Sequence, residues 1–324
     1  MKNAIVFCPY FGKLPSYFGL WLESCKINNH IKFVVFTDDN QKYDLPINVE
    51  IVNIEFNVFV RKIQSKFDFK ITLKTPYKFC DFKPAYGYLF SEYIEGFEYW
   101  GSCDLDVIWG DIMKFIPKKN YDKINYSAHL SFYRNDEIIN NAFMKDFFCF
   151  GYKDIFFSSE HLAYDEDEKY GINNILLEKG CDIYNFCLHV ADIRVERNNL
   201  QFAEKYKNNV PLKYNKKRKI FAYEDGKIYC YYIVNNNIIK KEFAYIHLQK
   251  RRILNKIDGI SSRFLITAHS LIPYQVPTID LIKDTQVSCF YVDYIRIKFK
   301  ALLMKIKRKV QVIKWKIKVV MNLG

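Results

Sequence analysis

The sequence predicts an α/β fold, a mainly parallel sheet flanked by helices, and three observations predict it. Ala4-Ile5-Val6-Phe7-Cys8 and Lys32-Phe33-Val34-Val35-Phe36-Thr37 are short runs with almost no polar interruption, the mark of strands covered on both faces. Between them, Leu14 to Ile27 spaces its apolar residues as a helix does, with Pro15 in the first turn, where a missing N–H costs nothing. The alternation then resumes: Val49-Glu50-Ile51-Val52-Asn53-Ile54 is a third strand, Pro84 to Tyr93 a helix, and the run after Tyr99 another strand.

Later elements follow from the same signals. Ala128-His129-Leu130-Ser131-Phe132-Tyr133-Arg134 is a mixed apolar stretch, and Asn135 after it either meets a ligand or caps the helix that begins near Asp136. An acidic loop, Tyr164 to Glu168, precedes a helix over Ile172 to Glu178. From Lys219 to Glu242, Ile/Val/Tyr-rich runs broken by Asp225-Gly226 and Asn235-Asn236-Asn237 predict antiparallel strands joined by tight turns. Pro273 and Pro277 mark a linker-like zone. The expected division is a main domain over 1–255, a linker with an accessory helical segment over 256–293, and a basic amphipathic helix over 294–324.

Half of the 324 residues are apolar, enough for one large or two modest cores and unlike a disordered composition. Nine scattered cysteines, an odd number without a Cys-x-x-Cys pair, signal neither a disulfide framework nor a zinc site and point to a reducing compartment. The apolar run near the N-terminus is too short for a signal sequence, and no run reaches the ~18 residues of a membrane span. The expected location is cytoplasmic.

The stretch that carries chemistry is Tyr99-Trp100-Gly101-Ser102-Cys103-Asp104-Leu105-Asp106-Val107-Ile108-Trp109-Gly110-Asp111. Two carboxylates spaced i, i+2 inside an apolar run address one side of a strand. An unpaired buried carboxylate is costly, so the pair calls for a cation, a partner or a cleft. Tyr10-Phe11-Gly12 and Thr37-Asp38-Asp39 also fall at strand ends, where open α/β sheets bind nucleotides.

Asp104-Leu105-Asp106, the upstream Pro76-Tyr77-Lys78-Phe79-Cys80-Asp81-Phe82-Lys83-Pro84-Ala85-Tyr86-Gly87 and the late His247-Leu248-Gln249-Lys250-Arg251 together resemble nucleotide-sugar glycosyltransferases of the GT-A fold. More narrowly they are similar to a bacterial family found near capsule and lipopolysaccharide genes. The resemblance spans roughly Met1 to Arg252. It implies a hexosyltransferase that uses Mn²⁺ or Mg²⁺ and a UDP-sugar such as UDP-galactose or UDP-glucose. Asp106 would be the direct metal ligand, Asp104 would contact the ribose or the metal shell, and His247 would complete that shell. Lys250 would pair with the diphosphate. Asp81 and Lys83 would hold the donor sugar or its phosphates, Tyr10 and Phe11 would stack on the base, and Asp38 would line the nucleotide site. Asp165 and Glu166 are candidates for an acceptor site or a general base, although a charge run of this kind usually faces water.

The net charge of +13 is a property of the tail: Arg296 to Lys318 holds ten Lys or Arg and no acid. Ile295, Phe299, Leu302, Leu303, Ile306, Val310, Ile313, Ile317 and Val320 fall on one helical face of roughly 100°, and the bases on the remainder. Such a helix suits an anionic membrane surface, here through residues 295–320, and places the expected enzyme peripherally on the inner face of the cell membrane, acting on a lipid-linked or surface glycan. Ile297 and Trp315 lie opposite the apolar face. Two other functions compete. A sugar nucleotidyltransferase also uses paired aspartates but needs a glycine-rich phosphate loop, whereas Cys8-Pro9-Tyr10-Phe11-Gly12-Lys13 has one glycine. A nucleic-acid binder driven by the tail would leave Asp104, Asp106 and His247 unexplained, so no nucleic-acid partner is expected.

Overall fold

The computed structural model describes residues 3–145, 151–166, 171–194, 200–203, 217–249 and 251–285, and eight positions between 299 and 317. The fold is mixed α/β, with three sheets among the described residues. The chain opens with β1 (Ala4–Pro9), a helix over Phe18–Cys25, β2 (Ile31–Thr37) and β3 (Val49–Asn53), all three strands parallel. β4 (Tyr99–Cys103) then returns to the other side of β1, also parallel. The strand order 3-2-1-4 reverses direction between β1 and β4, and the carboxyl ends of two strands related in this way are where open α/β sheets form their binding crevice.

Four short strands follow: β5 (Val107–Trp109), β6 (Lys123–Ile124), β7 (Leu130–Arg134) and β8 (Ile183–Tyr184). β7 pairs antiparallel with β4, and β6 and β8 complete a seven-stranded sheet. Next come β9 (Val190–Asp192), β10 (Lys219–Glu224), β11 (Lys227–Val234), β12 (Asn237–Phe243), β13 (Tyr245–His247), β14 (Leu254–Asn255), β15 (Arg263–Ile266) and β16 (Ser270–Pro273). β13 lies between β5, antiparallel, and β9, parallel, in a separate three-stranded sheet.

The expected hairpins are present. Asp225-Gly226 and Asn235-Asn236 both adopt positive φ, at 48° and 86° and at 48° and 60°, the backbone that a two-residue hairpin of this hand requires. Several elements differ from expectation. The first helix starts at Phe18, because Pro15 sits in the preceding turn, where its carbonyl accepts from the Phe18 N–H. Pro84 closes a 3₁₀ run over Pro76–Ala85, so only Tyr86–Leu89 of the expected helix is α-helical. The strand expected to run through Asp104 and Asp106 breaks at Cys103 and resumes at Val107, so both aspartates lie in the turn between β4 and β5.

The expected linker over 256–293 is corrected by strand pairing. β15 joins β10 directly, so a boundary at 255 would cut through the six-stranded sheet β12-β11-β10-β15-β16-β14. Alternation along β11 explains why this sheet needs both faces covered. Ile228, Cys230 and Tyr232 point to a core shared with Ile108, Ala191 and Ile246, whereas Tyr229, Tyr231 and Ile233 point to the opposite side, where Ile282 of helix Ile279–Asp284 packs. No helix among the described residues is long and apolar enough to cross a membrane.

Two features of the core give measurable consequences. A Cβ at Gly101 would lie 2.2 Å from the Ser131 carbonyl oxygen on β7, and neither backbone can yield inside the sheet. Gly19, in the first helix, has only Ile260 at 3.8 Å. Gly101→Ala is therefore expected to lower unfolding free energy by about 1–3 kcal/mol, and Gly19→Ala to raise it by about 0.5–1 kcal/mol, both read by urea denaturation. Lys123 is wholly buried, and burial depresses its pKa to about 7. Because the unfolded lysine titrates at about 10.4, the unfolded state binds the extra proton between those values, and stability tied to Lys123 rises with pH. Urea unfolding of wild type and Lys123→Met from pH 7 to 9 should show the wild type gaining on the variant by roughly 1.4 kcal/mol per pH unit at most; a pH-independent difference would contradict this.

Candidate metal centre

The centre is assembled by the register of the small sheet. β13 places His247 opposite Val107 on one side and Asp192 on the other. Asp106 immediately precedes Val107, and its carbonyl accepts from the Leu248 N–H at 2.7 Å, which locks the end of β13 to the aspartate turn. Leu105 points into the core and is 3% exposed, whereas the side chains of Asp104 and Asp106 stay 33% and 16% exposed. Ligand atoms of Asp104, Asp106 and His247 lie within 4.8 Å of one another.

His247 is held on both sides: Nδ1 lies 2.7 Å from Asp192 Oδ1, and Nε2 lies 3.4 Å from Asp106 Oδ1. Burial opposes a charge on this ring, but the carboxylates of Asp106 and Asp192 outweigh it and raise its pKa to about 10. Asp192 shows the converse: burial works against its charge, yet the His247 hydrogen bond keeps its pKa below the ordinary value. Gln249 Nε2 also donates to Asp192, at 2.6 Å. A carboxylate behind one ring nitrogen and an acceptor-rich crevice before the other is the arrangement that orients a metal-binding histidine. The donor set, two carboxylates and an imidazole, fits Mn²⁺ or Mg²⁺, with the imidazole favouring Mn²⁺.

His129 lies against this centre. Its ring stacks on His247 with centroids 4.2 Å apart, and its Nδ1 meets the Tyr245 hydroxyl at 2.8 Å. Burial, helped by the His247 charge, lowers its pKa to about 3, so it is neutral, and its Nε2 is buried without a hydrogen-bond partner among the described residues. Asp104 is braced from the other direction. Lys83 Nζ donates to Asp104 Oδ1 at 2.7 Å and to the Ala128 carbonyl at 2.8 Å, and Asp165 Oδ2 is 3.7 Å away. Burial alone would discharge Lys83, but the Asp104 carboxylate prevails and its pKa stands well above the usual value.

The remaining expected residues divide into those near the crevice and those bound elsewhere. Tyr10 is half-buried at the end of β1, and burial together with the Asp106 charge raises its pKa. Phe11 is engaged by Phe56 and Phe59, both with centroids at 5.0 Å, as part of the core wall. Asp38 Oδ1 accepts from the Gly12 N–H at 2.6 Å and Asp39 Oδ2 from the Leu14 N–H at 2.8 Å, so both carboxylates shape the loop after β1. Lys250 lies outside the described residues.

Asp81 does not reach the crevice. It is fully buried and accepts from Lys78 Nζ at 2.7 Å and from the Leu162 and Tyr164 N–H groups, so its oxygens fasten the segment before Asp165. Asp81, His161 and Asp165 could form a second ligand cluster, but the Lys78 ammonium already supplies the cation there. Asp165 and Glu166 part company: Glu166 is exposed, whereas Asp165 is buried beside Lys83, and burial pushes its pKa well up despite that ammonium. Asn135 binds the Ile94 and Phe97 carbonyls, and Asp136 is the residue that caps the next helix.

Sequence reasoning assigned no role to Asp192 or His129. Asp192 follows only Val190-Ala191 and lacks the i, i+2 partner that singles out Asp104 and Asp106, so its sequence carries no local signal.

The chain belongs to a family described as "Family of unknown function (DUF6625)", whose model matches residues 6–275. No curated protein matches it. Among solved structures it is similar to the glycosyltransferase GlyE of Streptococcus pneumoniae TIGR4, at 13% identity and a TM-score of 0.29, over 57% of this chain and 45% of that one. The match therefore spans less than half of that protein's length, and at that TM-score it carries no argument about fold or activity.

Two experiments probe the centre and the buried ion pair beside it. Asp106→Asn should weaken Mn²⁺ binding by at least tenfold, and Asp192→Asn by about 10–100-fold through loss of ring orientation, both read by isothermal titration of the full chain. Asp81→Ala strands the buried Lys78 ammonium and should cost about 3–5 kcal/mol in chemical denaturation.

Proposed function

We propose that this protein is a metal-dependent glycosyltransferase of the GT-A type, moving a hexose from a nucleotide diphosphate sugar to a hydroxyl acceptor. The observation that carries the reading is the convergence of Asp104, Asp106 and His247 on one point, beside the crevice where the strand order reverses between β1 and β4. A divalent cation bound there supplies Lewis-acid neutralisation of the departing diphosphate. The protein's own groups prepare for it. Asp192 occupies His247 Nδ1 and leaves Nε2 facing Asp106, while Lys83 fixes the rotamer of Asp104 and leaves its second oxygen for the ribose or the metal shell.

Tyr10, half-buried at the end of β1 and within the field of Asp106, is suited to lie against a base, with UDP as the proposed nucleotide. Asp165, buried beside Lys83 with its pKa pushed up by that burial, is suited to hydrogen-bond a donor sugar hydroxyl, and Glu166 remains the exposed candidate for the acceptor side. The proposed acceptor is a lipid-linked or surface glycan. A nucleotidyltransferase is disfavoured because the loop after β1 has a single glycine, Gly12, and its N–H is bonded to Asp38.

Screening UDP- and GDP-hexoses for Mn²⁺-dependent hydrolysis tests the reading. At least one UDP-hexose should be turned over, and Asp106→Ala should reduce that rate by about 10²-fold or more, as loss of electrostatic stabilisation of a leaving group does. Absence of turnover and of thermal stabilisation by every donor, or an Asp106→Ala variant with normal rates, would overturn it.

A further inference from the structure

Phe299, Leu302, Leu303, Ile306, Val310, Ile313 and Ile317 are helical, and each side chain is between 43% and 60% exposed. Among the described residues, none of the seven belongs to the apolar clusters of the body. At 100° per residue they fall within a single stripe about 100° wide that runs for about 27 Å. A surface helix of a globular domain normally turns such a stripe inward. Here it faces out.

What covers the stripe is indicated by the charges beside it. In the sequence, ten Lys or Arg and no acid lie between Arg296 and Lys318, and helical spacing alone assigns them to both sides of the stripe. Lys309, which is described, is helical and exposed at its edge. A nucleic acid would satisfy the cations and leave seven apolar side chains in water. A second copy of the helix would cover the apolar side chains while bringing two sets of ten cations together. An anionic bilayer satisfies both, with the stripe in the acyl boundary and the cations at the headgroups.

We infer that the C-terminal helix docks this protein flat on an anionic lipid surface. The helix lies in the interface and does not cross it, because it carries too many charges to span. Each engaged cation contributes about fivefold to partition, so a few of them hold the protein on the surface at ordinary ionic strength and release it as salt rises.

The test uses the full chain and flotation with vesicles of phosphatidylcholine, with or without phosphatidylglycerol. Wild type should float with the anionic vesicles, and much less with phosphatidylcholine alone or at high salt. Two triple variants separate the contributions: Leu302→Glu with Leu303→Glu and Ile306→Glu, and Lys307→Gln with Arg308→Gln and Lys309→Gln. Each should lower partition by tenfold or more while leaving the thermal unfolding transition in place. Equal flotation of wild type and the glutamate variant, equal flotation on neutral and anionic vesicles, or tight retention on duplex DNA without flotation would overturn the inference. A dimer that the glutamate variant dissociates, with no flotation, would do so as well. The assay uses no sugar donor, so its failure and that of the transferase reading are distinguishable.

Discussion

The centre depends on where β13 is inserted. Three strands of three residues each bring together Asp106 from the turn before β5, Asp192 from the end of β9, and His247 from the end of β13. Shifting β13 by one residue would turn His247 to the opposite face and put Ile246 among the carboxylates. Such short strands specify their register weakly by hydrogen bonds alone. It is fixed by what they pack against: Trp109 and Tyr245 meet edge to face at 5.3 Å in one core, while Ile108 and Ile246 are buried in the other. The chemistry of the crevice is thus tied to apolar packing on both faces of the small sheet.

Around that sheet, charges are arranged in matched groups. His247 lies between Asp106 and Asp192, Lys83 between Asp104 and Asp165, and Lys78 against Asp81. Removing one member of a buried pair costs far more than the pair contributes, so each group constrains its neighbours. The Asp81 carboxylate, with no access to the crevice, nevertheless determines where Asp165 stands, because it holds the N–H groups of Leu162 and Tyr164 on either side of Ala163.

Much of the fold was legible in the sequence because it rests on local signals. The apolar runs of β1 and β2 and the turn residues Asp225-Gly226 and Asn235-Asn236 act over a few residues and led to the right elements. What could not be read were pairings across long separations. Asp192 and His247 are 55 residues apart, and nothing local distinguishes Asp192 from a surface carboxylate. Asp81 and Lys83 are two residues apart and looked like one unit. The 3₁₀ run that contains them turns one toward Lys78 and the other toward Asp104. The boundary at 255 is another such case: Pro273, a linker signal in the sequence, ends a strand that pairs with residues 264–266, while helix Ile279–Asp284 does lie in the segment expected to hold one.

The order of the pieces along the chain also bears on how the protein is made. The hairpins β10 to β12 lie between β9 and β13, so the segment that ends in His247 reaches β5 only after that meander has folded back. Hairpins are local and form early, whereas closing β13 onto β5 joins residues separated by well over a hundred positions and is slow by comparison. During synthesis, Asp104 and Asp106 emerge long before the histidine that completes their site. The chain therefore carries both carboxylates of the cluster well before the imidazole that joins them.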